Sequence, residues 1–373
     1  MARSIQLLLQ IGNVVTIPAP QPLMDALQSV QVTSSAGSRS GFQLTFAVSK
    51  KSVITRTLLP AGLLDPPARV IITAIVAGSI EVLMDGVITR HELSPSDTPG
   101  ASTLTVTGED LTLLMDLRTE HACYPAMAHN VRAKLVLLKY AMYGVIPAAV
   151  PPVIPTIPNP LDQIPVQSST DLEYLRSLGK EVGYTFYLVP GPLPGASIGY
   201  WGPEIRVGIP QPALTINSGA ADNVESLSFS FDGLSRTQYR VRITEPNTKT
   251  AISVPIPSLS LLKPPLAVRP AIALKEEPIH KLTDRSITDA MLRAVSVTSK
   301  SADAVTGQGK LDVLRYGRVL TSRGLVGVHG AGPAYDGLYY VNSVTHDIKR
   351  GEYTQSFSLA RDGFIPFPDQ VAP

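Results

Sequence analysis

The chain has 373 residues, 44% hydrophobic and only 17% charged, which is enough material for two or three cores and well below the roughly 25% charge of an average soluble domain. Thirty-two Lys and Arg against 30 Asp and Glu leave a net charge of +2, so there is no electrostatic case for DNA, RNA or an anionic membrane as partner. Cys123 is the sole cysteine, which excludes an internal disulfide or a thiolate metal cluster within one chain and makes a reducing compartment the expected setting.

In chain order, the apolar run Ile5 to Leu9 is interrupted by Gln6, and no small-residue cleavage pattern follows it, which predicts a strand rather than a signal peptide. Alternation predicts half-buried antiparallel strands at two further places. Phe42, Leu44, Phe46 and Val48 share one face opposite Gln43 and Thr45, and Leu104 and Val106 lie opposite Thr103, Thr105 and Thr107. Asn130 is placed to cap a helix whose apolar positions Val131, Leu135, Leu138 and Met142 recur at helical spacing until Gly144. Tyr140 to Leu161 is uncharged and of membrane-spanning length. Its six prolines, at about 3 kcal/mol for each interior one, rule out a spanning helix and predict an extended linker packed on protein.

A second helix is better marked. Thr170 and Glu173 form a capping box, Leu172, Leu175, Leu178 and Val182 make one face, and Gly183 stops it before a strand Tyr184 to Val189. Beyond it, Leu227, Phe229 and Phe231, then Tyr239, Val241 and Ile243, then Tyr353, Gln355, Phe357 and Leu359 alternate with polar residues, so the second half is again β-rich. Seven prolines in 146–165 and seven more in 246–278 mark a linker and an insertion. Asp336-Gly337 is a tight turn into Leu338-Tyr339-Tyr340-Val341, which puts one tyrosine on each face.

Two hairpins share a plan. Val87-Ile88-Thr89-Arg90-His91 returns through Leu104-Thr105-Val106-Thr107 to Gly108-Glu109-Asp110, and Val344-Thr345-His346 returns through Phe357-Ser358-Leu359 to Arg361-Asp362, each with a His where the first strand ends. No reaction centre emerges. His91, His121, His129, His280, His329 and His346 lack metal-ligand spacing and are expected at strand ends or on the surface. Cys123 between His121 and His129 has no nucleophile turn nearby. Glu276 and Glu277, followed by Asp284 and Asp289, do not form a carboxylate pair, because adjacent strand residues point to opposite faces. The run Gly327 to Gly332 lacks the Gly-Lys-Ser/Thr ending of a phosphate loop and is expected to be a turn beside a strand.

Three segments taken in order resemble the late control protein D family of contractile-tailed phages, with its relatives in extracellular injection systems and the hub part of VgrG proteins. They are Asp85-Gly86-Val87-Ile88-Thr89 with Leu104 to Leu111, Ser168 to Leu175 with Glu181 to Phe186, and Tyr339-Tyr340-Val341 with Val344 to His346 and Tyr353 to Asp362. The resemblance implies a mainly β fold with a smaller α+β part. Two similar antiparallel β-barrel domains, 1–110 and 204–373, would be linked by an α+β segment, 111–203, that carries the Pro-rich linker 146–165, and the second barrel would carry a Pro-rich insertion at about 246–300.

It further implies a homotrimer of near-six-fold symmetry, acting as a structural, non-enzymatic baseplate hub without a cofactor. Its partners would be the hexameric inner tube or a tube-initiator protein, a separate trimeric spike and other baseplate proteins, with assembly in the bacterial cytoplasm and neither nucleic-acid binding nor membrane insertion. VgrG-type chains continue into a further barrel and a needle, whereas this sequence stops after Phe364, Ile365, Pro366, Phe367 and Pro368. That tail is a candidate spike-docking strap, a frayed terminus being the alternative. Two rival readings are a cell-wall hydrolase, for which convergent carboxylates are missing, and a receptor- or carbohydrate-binding β-protein, for which Trp201 is the one tryptophan available.

Overall fold

The structure is a computed structural model and describes residues 5–98, 102–152, 157–161, 164–244, 251–255, 263–279 and 303–367. An N-terminal set of strands comprises β1 (Ile5–Gly12), β2 (Thr16–Pro18), β3 (Leu27–Ser35), β4 (Gly41–Ala47), β5 (Arg69–Val76), β6 (Ser79–Ser94) and β7 (Thr103–Asp110), with the short helix α1 (Gln21–Ala26) between β2 and β3. The expected alternation is present: Phe42, Leu44 and Phe46 of β4 and Leu104 and Val106 of β7 are buried. Gly108 of β7 is required by close approach, because a Cβ there would stand 2.3 Å from the Phe42 ring and 2.4 Å from the Val87 carbonyl oxygen.

A middle unit follows, with β8 (Thr119–Cys123), α2 (His129–Leu138), β9 (Val145–Ala149), β10 (Val166–Thr170), α3 (Asp171–Val182), β11 (Thr185–Pro190) and β12 (Ser197–Gly202). Helix α3 has the expected Thr170 cap, the glycine stop and three of the four expected face residues buried, Val182 being half-buried. The Thr170 hydroxyl accepts from the Glu173 N–H at 3.2 Å, Leu172, Leu175 and Leu178 are buried, and Gly183 takes the left-handed φ of +77° that ends the helix.

Helix α2 overturns its expected face. It starts two residues earlier, with Ala128 rather than Asn130 at the N-cap, and buries Arg132, Ala133, Val136 and Leu137, while Val131, Leu135, Leu138 and Met142 remain 41 to 62% exposed. Apolar residues lie on nearly every side of this helix, so periodicity alone could not select the packed face. The expected linker 146–165 also begins inside structure. Residues 146–149 belong to β9, which pairs in parallel with β12 at the edge of a three-stranded sheet, a position where Pro147 is tolerated.

The C-terminal set comprises β13 (Gln211–Thr215), β14 (Val224–Phe231), β15 (Thr237–Thr244), β16 (Ala251–Pro255), β17 (Ala267–Pro270), β18 (Lys275–Ile279), β19 (Val305–Asp312), β20 (Leu325–His329), β21 (Gly337–Lys349), β22 (Glu352–Arg361) and β23 (Gly363–Pro366). One 13-stranded sheet unites both sets in the order β14-β19-β22-β21-β3-β4-β7-β6-β5-β1-β2, with β20 on β21 and β13 on β20.

The neighbour order β3-β4-β7-β6-β5-β1 therefore recurs as β14-β19-β22-β21-β20-β13, and the two look-alike hairpins, β6–β7 and β21–β22, hold matching places in it. A helical turn follows the second strand of each series, Ile54–Leu58 after β4 and Val313–Tyr316 after β19. The last pairs differ, β1–β5 being antiparallel and β13–β20 parallel. One hydrophobic core draws on both sets, packing Leu44, Phe46 and Ile72 with Leu311, Val341 and Phe357, whereas the middle unit has its own core around Trp201, Leu175 and Val136.

Candidate functional site: the junction of the three units

Strand β21 makes the junction possible. Along one edge it pairs with β20 through residues 337–340 and then with β3 through residues 343–349, and the bulge in its pairing with β22 falls at Asn342, where the partner changes. The Asn342 carbonyl accepts from the Ala36 N–H at 2.8 Å, and Arg323 N–H donates to the Val341 carbonyl at 2.8 Å. Strands from the two ends of the sequence are thereby locked by backbone hydrogen bonds, reinforced by Thr33 with Thr345 at 3.1 Å and Ser34 with Ser322 at 2.7 Å.

Buried arginines tie the remaining contacts. Arg69 of β5 donates to both Asp85 oxygens, at 2.7 and 2.6 Å, and also to the carbonyls of Val14, Tyr143 and Gly195, while the Ser197 hydroxyl donates to Asp85 at 3.1 Å. The pair thus clamps the N-terminal strands to the middle unit. Gly144 fits beside this clamp because it takes φ +74°, and a Cβ there would lie 1.9 Å from the Gly195 carbonyl oxygen.

Arg323 meets all three units. From the C-terminal set, its guanidinium donates to the Ser35 carbonyl at 2.6 Å and stacks 4.2 Å from the Tyr187 ring centroid of the middle unit. Burial pulls its pKa below the ordinary arginine value, although Tyr340, Tyr187 and Asp110 favour the charge. Nearby, Arg206 makes a bidentate pair with Asp303 at 2.6 Å for both bonds, also donates to Glu204, and stacks over Tyr340; Lys263 completes the cluster at 2.9 Å from Glu204. Burial alone would raise the Glu204 and Asp303 carboxyls, but the Arg206 charge holds both below their ordinary values, with help from Lys263. Arg361 is wholly buried on the carbonyls of Gly363, Asp336 and Ala334 and over the Tyr339 ring. The tyrosine pair thus serves opposite faces, Tyr339 with Arg361 and Tyr340 with Arg206.

The candidate docking tail folds onto its own chain. Phe364, Ile365 and Pro366 belong to β23, paired with β17. Phe364 lies 4.4 Å from the Phe231 ring and 5.5 Å from Tyr335, Pro366 packs on Gly337, and Ile365 points outward at φ +64°. Phe367 is half-buried, and Pro368 lies outside the described residues.

The histidines fall in several places. His91 and His346 sit within strands, not at their ends, because β6 runs on to Ser94 and β21 to Lys349. His346 is buried, contrary to the expected surface or strand-end place, and sequence offered only its position in an apolar alternation as a signal. His129 bonds Glu181 at 3.0 Å, while Cys123 is exposed on β8. Glu277 pairs with Lys275 at 2.6 Å; the Glu276 side chain, His280, Asp284 and Asp289 lie outside what is described. Gly327 and His329 belong to β20, and the turn starts at Gly330. Trp201 is fully buried and donates its indole N–H to the Leu175 carbonyl at 3.0 Å, so it is a core residue and not a sugar platform. Among the described residues no helix is long and apolar enough to cross a membrane, and no group of three potential metal ligands converges.

No protein-family model and no curated protein matches the chain. Solved structures do. A tail protein from Neisseria meningitidis superposes with a TM-score of 0.61 at 14% identity, covering 98% of this chain and 99% of that one. The 43 kDa tail protein of prophage MuSo2 from Shewanella oneidensis gives 0.62 at 15% identity, over 97% and 100% of the two chains. The E. coli c3393 protein, a component of the type VI secretion system, gives 0.55 at 12% identity over 93% of this chain and 75% of its own. The family resemblance carried by the sequence motifs therefore holds at the level of architecture: this chain has the mainly β fold shared by phage tail proteins and by VgrG-like components of injection systems.

Proposed function

We propose that this chain is the structural hub of a phage tail or tail-like injection particle, a non-enzymatic homotrimer that joins a hexameric inner tube to a trimeric spike. The observation that carries the reading is the recurrence of one strand order within a single chain. If each series is one barrel, three copies supply six similar barrels, which present near-six-fold symmetry to a tube and true three-fold symmetry to a spike. The continuous sheet and the enclosed arginine clamps suit a part that transmits thrust without bending. Among the described residues of the tail, Ile365 is the one left outward for a spike to meet, Phe364 being occupied internally.

The test is the mass of the purified chain in solution by light scattering, alone and with neighbouring tube and spike proteins. A species near three times 39.8 kDa, alone or on adding the spike, supports the hub. A monomer that ignores both partners refutes it.

A further inference from the structure

His346 occupies a place where its neighbours along β21 and across on β3 are apolar and its partners on β22 are polar. Val344 and Ile348 flank it on the inward face of β21, Val32 lies across from it on β3, and Gln355 lies across on β22. The imidazole's protonation is fixed by the hydrogen bonds around it. Gln355 is clamped on Leu320, its Oε1 accepting the Leu320 N–H at 2.9 Å and its Nε2 donating to the Leu320 carbonyl at 2.8 Å. That Nε2 also faces His346 Nδ1 at 3.2 Å, and an amide N–H has no lone pair to offer, so Nδ1 must be the bare acceptor. The Tyr353 hydroxyl, 2.8 Å away, donates to the same nitrogen. The proton therefore sits on Nε2, and a second proton on Nδ1 would meet the Gln355 N–H head on.

No carboxylate is among the hydrogen-bond partners of the imidazole, which are Tyr353 and Gln355. On β22 the facing groups are Tyr353 and Gln355; on β3 the facing residue is Val32; on β21 the neighbouring Asp347 accepts from Gln31. Glu81 of β6 lines the same cleft and acts on Tyr353, while Arg318 lines the adjoining one. The cleft, about 250 Å³, separates the β6 residues 80–83, the middle-unit residues 189–192 and the segment 319–322, which includes the residues beside Leu320. Burial pushes the imidazole down to about 4 from 6.5.

We infer that His346 is an acid-sensitive latch on the junction: when Nδ1 is protonated, Gln355 lets go of Leu320, and the segment 317–322 loosens toward the cleft, still held by its ties from Thr321 to Gln211 and from Ser322 to Ser34. This goes beyond the hub reading and stands without it. Because the folded state disfavours the second proton, the latch is closed above pH 6.5 and weakens as pH falls from there toward 4, by on the order of a hundredfold in the opening equilibrium.

The test uses the full chain, with ¹³Cε1-labelled histidine followed by NMR from pH 8 to 4 and hydrogen exchange read at 317–323 and along β3 and β21, corrected for intrinsic rates. One imidazole is expected to titrate near pH 4, with exchange at those segments rising on the order of a hundredfold as it does so. His346→Gln, whose amide oxygen can accept from Tyr353 and Gln355 but does not titrate, should lose most of that rise. An ordinary midpoint near 6.5 for every imidazole would overturn the latch, and so would an equal rise in the variant. The wild-type titration needs no variant, so a failure of His346→Gln to fold leaves that arm decisive.

Discussion

Arg69 and Asp85 are both almost completely enclosed, so removing either partner strands a charge where water cannot reach it. Arg69→Met is expected to cost about 3–5 kcal/mol in urea unfolding, and Asp85→Leu added to it should restore part of the loss, since a buried pair replaced by apolar groups is often neutral. Three half-buried carboxylates divide into two kinds with opposite signs. Glu204 and Asp303 are held below their ordinary 4.5 and 3.8, so their contribution is present above those values and fades as pH falls through the lowered ones. Burial raises Asp362, so its stabilising form is the protonated one, and that contribution is lost as pH rises through the raised value. At pH 7, Asp303→Asn should lower the melting temperature by several degrees. Asp362→Asn should leave it unchanged or raise it, because an amide oxygen still accepts the Leu266 N–H that Asp362 now accepts at 2.8 Å. Calorimetry of the two variants distinguishes these outcomes.

The two helices of the middle unit show how far local pattern reaches. Helix α3 was legible at both ends because Thr170 and Gly183 are punctuation, chemistry that acts within one turn of chain. Helix α2 has no side-chain cap hydrogen bond and apolar residues on most sides, so its orientation is decided by the neighbours that tertiary structure brings. The corrected face is testable at adjacent positions. Leu137→Lys should unfold the middle unit, seen as loss of Trp201 burial by fluorescence, whereas Leu138→Lys should change stability by less than about 0.5 kcal/mol. The strands were legible in kind, but their ends were not. β6 and β21 run past the histidines that seemed to end them, since each exchanges one neighbour for another partway along, β6 from β5 to β7 and β21 from β20 to β3.

At the scale of the molecule, the sequence showed two β-rich ends but not that they share a sheet and a core. Thr33 and Thr345 meet across 312 positions, and no periodicity within either strand records which distant strand will lie beside it. Arg323 was missed for the same reason, as its three-way contact exists only after all units assemble. A consequence is that 1–110 should not behave as an independent folding unit. Expressed alone, it should lack a cooperative urea transition, and mixing it with 111–373 should restore one. A sharp transition in the isolated fragment would contradict the shared core.

The β3–β21 pairing also sets a clock on biosynthesis. At about 5–20 residues per second, the ribosome needs roughly 15 to 60 s after making Thr33 before Thr345 exists to receive it. For that interval β3 emerges with one edge bare and nothing of its own chain to cover it, long enough for the nascent polypeptide to meet another copy on the same messenger. Yield in the cell should therefore depend on holding factors that occupy the early strands until the last hairpin is synthesised.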